Sequence, residues 1–160
     1  MRKTGVRHRK ERRSSFRQPA MENGQALVEL ALSLPLLMLL LLGAAEFARG
    51  AYAAIEVSDA AKAGVQYGAQ NATAASDTTG VQDAATAGAP DITLGSTTVS
   101  ISCICSDGSA STCLRTDCPT SHIEETLSVQ TQTTFDPLIY APGLPNSFTL
   151  YGQATQKVLQ

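Results

Sequence analysis

Cys103, Cys105, Cys113 and Cys118 are the residues of this chain best suited to chemistry, and they lie close together among Ser, Asp, Gly and Thr. Four neighbouring thiols hold a metal, cycle between dithiol and disulfide, or staple the chain. A four-thiolate zinc site normally uses two Cys-x-x-Cys units, whereas the gaps here are C-x-C, C-x7-C and C-x4-C. A redox site wants C-x-x-C, which this chain lacks. An even number of cysteines in a small domain outside the cytoplasm reads as disulfides, so two bridges and no metal are expected. A Cys103–Cys105 bridge would be strained, which leaves Cys103 or Cys105 joined to Cys113 or Cys118.

Little else here resembles a catalytic set. The histidines are His8, in a basic N-terminal stretch, and His122. Gly-rich phosphate loops, G-x-S-x-G and H-E-x-x-H are all missing. Glu124 and Glu125 are adjacent, so on a strand they face opposite sides and cannot act as a carboxylate pair. The expectation is a non-enzyme with no cofactor and no small-molecule substrate.

The elements that carry these residues begin with a sharp asymmetry of charge. Eight of the twelve Lys and Arg residues lie in the first 20 positions, against one acid, Glu11. From Glu46 onward four basic residues face eleven acids, a net of −7. Between them, Ala26 to Ala45 holds ten leucines. Twenty helical residues rise about 30 Å, the thickness of a bilayer's hydrocarbon core. Glu29 opposes insertion by roughly 2.5–3.5 kcal/mol at mid-bilayer and less near an end, and leucines at about −0.3 to −0.6 each offset it. Basic residues ahead of the span put the N-terminus in the cytoplasm. The basic segment therefore reads as a topological signal, with no nucleic-acid partner. Secretory cleavage near Ala45, after Gly43-Ala44, is the alternative, but a signal's apolar region is about 7–15 residues and this one is longer.

The resulting division is a basic cytoplasmic leader over 1–24, a transmembrane helix over 25–45 and an Ala-rich helical extension over 46–70. A polar linker follows over 71–90, part of it a short helix from Thr79 to Ala87, and then a small β-rich extracytoplasmic domain over 91–160. Met21 offers a second start. Alternation predicts strands over Val99–Cys105, Leu127–Phe135 and Phe148–Val158, and Pro137, Pro142, Gly143 and Pro145 make Asp136–Asn146 a loop. The fold class expected is α+β: a long N-terminal transmembrane and amphipathic helix packed on a small antiparallel β-sheet.

Gly24-Gln25-Ala26-Leu27-Val28-Glu29 adds a specific pattern, in which a glycine ends the basic leader and a glutamate stands five residues beyond it. This resembles the prepilin-peptidase site of the type IV pilin superfamily, where cleavage after the glycine makes that glutamate the fifth mature residue. The stretch continues with Glu46, Phe47 and Arg49, then an Ala-rich helix closing on Gln66-Tyr67-Gly68-Ala69. Together with the final Gly152-Gln153-Ala154-Thr155-Gln156-Lys157, it resembles the TadE-like family of tight-adherence (Flp) pilus assembly. The resemblance covers residues 20–70 well and 124–160 loosely, and leaves out the cysteine segment. It implies a processing site at Gly24 and Gln25, a pilin-type glutamate at Glu29, and an inner-membrane location. Prepilin peptidase and other pilus assembly proteins or pilin subunits are the implied partners. Leu30, where the major Flp pilin carries an aromatic, and Gln66, in place of the common basic residue, imply a minor pilin-like role.

Overall fold

The computed structural model describes residues 22–139, 143 and 145–159. The leader up to Met21, and Pro142 in the Pro-rich loop, lie outside the described residues. The chain forms two units, Met1–Leu41 and Leu42–Gln160. The described part of the first is entirely helical: it is the start of α1, which runs from Glu22 to Gly68 and carries Pro35 inside it. Leu and Ala dominate this segment and have the highest helix propensities.

In the second unit, α1 buries Ala53, Val57, Ala60, Ala61 and Val65. Their spacing traces one face of a helix. That face covers a four-stranded antiparallel sheet of order β2-β1-β3-β4, built from β1 (Ser96–Cys105), β2 (Ala110–Ser111), β3 (Ile123–Phe135) and β4 (Phe148–Lys157). The register places Val99 opposite Val129, and Val129 opposite Ala154. Alternation then sends Leu127, Val129, Thr131 and Thr133 of β3 inward, where all are buried. The core is small: Val65, Ala75, Val81, Leu127, Val129 and Val158.

Helix and sheet approach closely at two glycines. At Gly152 a Cβ would collide with the Val57 carbonyl, and at Gly68 with the Leu127 side chain. The Thr131 hydroxyl, 1% exposed, donates to that same Val57 carbonyl at 2.6 Å. A buried polar group so satisfied tolerates its location, since its hydrogen bond replaces the one lost to water.

The helix expected within the polar linker over Thr79–Ala87 forms, and a second, shorter one precedes it. Helix α2 spans Ala72–Ser76 and α3 spans Thr78–Ala87. Asn71 caps the first, accepting from Ala74 N at 2.9 Å, and Asp77 caps the second, accepting from Gly80 N at 3.0 Å. Ala75, Val81, Ala85 and Ala89 are buried. The strands also start earlier than alternation predicts, at Ser96 and Ile123, and β2 adds a short fourth member.

Candidate functional site

Three groups of residues could do something beyond hold the fold. The first is the start of α1. Gly24, Gln25 and Glu29 are all exposed on the helix. A Cβ at Gly24 would meet nothing within 4 Å. A helical glycine costs about 1 kcal/mol relative to alanine, so the chain's own packing gives no reason for it. Among the described residues Glu29 has no hydrogen-bond or ion-pair partner.

The second group lies just after the apolar segment. Glu46 accepts from Arg49 Nη1 at 3.0 and 3.1 Å and from the backbone N–H of Leu138 at 3.2 Å. The Arg49 guanidinium lies 5.5 Å from the centroid of the Phe135 ring, and a Cβ on Gly50 would touch that ring. Exposed ion pairs and cation–π contacts each contribute only about 0–1 kcal/mol. Their combined effect is positional: they fix the beginning of the β3–β4 loop against α1. Six residues further along the helix, Tyr52 donates to Asp91 at 2.6 Å. That carboxylate, helped by Glu56, pushes the Tyr52 phenol well above its ordinary value.

The third group is the cystine end of the sheet. Cys103 bonds to Cys113 and Cys105 to Cys118, and no described cysteine is free. Both bridges tie β1 to the excursion that follows it. Two aspartates organise this excursion. Asp117 accepts from Thr112 N at 2.6 Å, Thr112 Oγ1 at 2.7 Å and Ser111 Oγ at 3.2 Å. Asp107 accepts from Ser109 Oγ at 2.6 Å and Ser109 N at 2.9 Å. Donors aimed at the ionised form favour it, so both carboxyls are held below their ordinary range.

Beside the bridges lies an open hollow of about 750 Å³, with Asn71, Arg115, His122 and Glu125 in its wall. Glu124 is on the opposite face of β3, paired with Lys157 at 2.6 Å, which lowers its pKa. The two glutamates thus diverge as their adjacency on a strand requires. No cluster of three or more His, Cys, Asp or Glu residues with metal-binding geometry occurs among the described residues.

Sequence reasoning singled out Gly24, Gln25, Glu29 and the cysteines, and the structure keeps the two sets in different units. It missed the Glu46–Leu138 and Tyr52–Asp91 contacts, which join positions far apart in sequence and carry no local signal.

Residues 24–66 match the model of the TadE-like protein family. This is the same family whose motifs the helix resembles, and the matched segment contains Gly24, Glu29, Glu46, Phe47 and Arg49. No curated protein and no solved structure matches the chain.

Proposed function

We propose that this chain is a minor pilin or pseudopilin-like membrane protein that assists the assembly or secretion of a tight-adherence (Flp, type IVb) pilus. The observation that carries the reading is Glu29: a carboxylate without a partner among the described residues, in an apolar helix, five residues after a glycine that the fold does not require. The match of residues 24–66 to the TadE-like family supports it. Helix α1 is long and apolar enough to cross a membrane. In this reading it spans the bacterial inner membrane once, with the leader in the cytoplasm and the sheet outside.

A prepilin peptidase acting after Gly24 must fit the backbone closely, and a side chain there obstructs it. Cleavage leaves a new ammonium on Gln25. In an assembling bundle that ammonium pairs with Glu29 of a neighbouring subunit, which satisfies two charges that are costly in an apolar setting.

Two substitutions test this. Gly24→Leu leaves the leader attached, read by mass spectrometry of the mature N-terminus, while insertion is unchanged. Glu29→Leu is processed normally and inserts at least as well, yet impairs pilus assembly. Normal pili from both variants would overturn the proposal.

The hollow beside the bridges favours a second reading, a single-pass anchor presenting a disulfide-stapled binding domain. That reading expects no processing at Gly24 and no effect of Glu29→Leu. Release as a secreted domain near Ala45 would instead give Glu46 as the N-terminal residue.

A further inference from the structure

We infer that the start of the β3–β4 loop, together with Phe47, is a second membrane contact: it seats Leu138 and Ile139 in the interfacial layer of the lipid leaflet where the apolar segment of α1 ends. The inference rests on the reading that α1 spans a membrane and adds a contact made by the folded domain.

Phe47, Leu138 and Ile139 are 80%, 77% and 45% exposed. Phe47 follows Glu46, whose carboxylate holds Leu138, so the three lie at one level of α1, and large apolar side chains left in the open at one level mark an interaction surface. Their location is what selects the partner. Ala45 ends the uncharged run and Glu46 is the next residue. The Glu46 carboxylate accepts from the Leu138 backbone N–H at 3.2 Å. Leu138 is thereby held at the level of the helix where the apolar segment gives way to polar sequence, and Ile139 follows it directly. With the bilayer ending at Ala45, the Glu46 contact puts Leu138 at its surface.

The neighbouring groups suit such a depth. Arg49 is one turn further along α1 and its guanidinium lies over Phe135. Long cationic side chains and aromatic rings belong at the headgroup level, where an apolar body and a polar tip are both accommodated. Glu46 is neutralised locally by Arg49 at 3.0 Å, which removes the charge that would hold the loop away from lipid. Exposed Ile104, Leu114 and Leu159 belong to the sheet's opposite, cystine end, where the Leu159 N–H donates to the Ala69 carbonyl, more than twenty residues beyond Ala45. The occupant is therefore the headgroup–acyl boundary of a phospholipid leaflet.

The chain contains no Trp, so single tryptophans report depth without background. Full-length chain with Leu138→Trp, Phe47→Trp, Leu39→Trp or Tyr151→Trp is placed in phosphatidylethanolamine/phosphatidylglycerol nanodiscs at one chain per disc. This loading keeps a second copy from covering the surface. The lipids are brominated either near the carbonyl end or near the terminus of the acyl chain. Tyr151 is 71% exposed on β4 and serves as the control away from lipid.

The expected result is that Leu138→Trp and Phe47→Trp lose about half of their emission or more with the shallow bromines and less with the deep ones, as for side chains buried about 5–10 Å into the boundary. Leu39→Trp is quenched by the deep bromines, and Tyr151→Trp by neither. Quenching of Leu39→Trp with Leu138→Trp as dark to bromine as Tyr151→Trp overturns the loop contact and leaves the span intact. An unquenched Leu39→Trp overturns the span, and the inference with it.

Discussion

Residues 26–45 hold ten leucines, and from Leu36 to Ala45 every side chain is exposed. In the sheet unit the largest fully buried side chains are those of Leu127, Val57, Val81, Val129, Thr131 and Cys105. The richer apolar sequence thus belongs to the part with no core, and the core is built from small residues. Apolar area stabilises only when something removes it from water, at roughly 25 cal/mol per Å². The leucines of α1 are written for a surrounding that the chain does not supply. The sheet unit is written for itself, and its thin core explains why two covalent links are present. Small domains of limited core volume commonly need such links.

The most damaging way to break this comparison is to empty the sheet's core while leaving α1 alone. Leu127 is fully buried against Val65, Ala75, Val81 and Val129. Leu127→Ala is expected to cost about 2–5 kcal/mol, because little flexible material surrounds the cavity. Urea unfolding of the chain in nanodiscs, followed by tyrosine near-ultraviolet dichroism, measures it. Far-ultraviolet dichroism should retain the signal of the apolar helix through that transition. Loss of both signals together would show that the two regions depend on each other.

A smaller loss follows from cutting one staple. The Cys105–Cys118 bridge closes a separation of 13 residues, for which loop-closure entropy gives about 3 kcal/mol. Cys105→Ser with Cys118→Ser should lower the urea midpoint of the sheet unit accordingly, with membrane extraction behaviour unchanged. A variant that no longer fractionates with membranes would contradict the independence of the two regions.

How far the sequence disclosed this arrangement depends on which physical signal each part carries. The long helix and the three long strands are legible because their periods, near 3.6 and 2, involve Leu, Val, Ile and aromatic residues. Helix α3 is legible over Thr79–Ala87, one residue short of its start, whereas α2 is not, because a small alanine, Ala75, fills its buried position, as Ala85 does in α3. Those alanines are what the location demands. A Cβ on Gly64 would lie 3.1–3.2 Å from the Val81 carbonyl, Ala85 Cβ and Val129 Cγ1, so the helices meet too closely for larger side chains. The Gly64/Gly68 pair therefore serves packing within the fold. Disulfide formation is legible from the even number and close spacing of the cysteines. The choice between pairings is not, because Cys103 and Cys105 are both inward positions of one strand, two residues apart. Which of them reaches Cys113 depends on the path of the excursion, set by β2 and by the Asp107 and Asp117 turns.

Acid sharpens the comparison most gently, since the carboxyls with lowered pKa values all belong to the sheet unit. Asp107 and Asp117 are held below their ordinary value of 3.8, in each case chiefly by a side-chain hydroxyl, Ser109 for one and Thr112 for the other. Glu124 is held below 4.5, first by its hydrogen bond from Lys157. A carboxyl whose folded pKa is lower than its unfolded one stabilises the fold fully above the unfolded value, and this is lost as pH falls through the folded value. Resistance of the sheet unit to urea should therefore be level above about pH 5 and decline below about pH 4. Asp117→Asn removes the ionised acceptor while keeping the shape. It should start lower at neutral pH and lose less on acidification, because one of the three titrating groups is gone. The effect is modest, as these carboxylates are open to solvent. A variant that follows the parent at every pH would assign the decline to Asp107 and Glu124, and would leave the Asp117 turn held by its backbone and bridges alone.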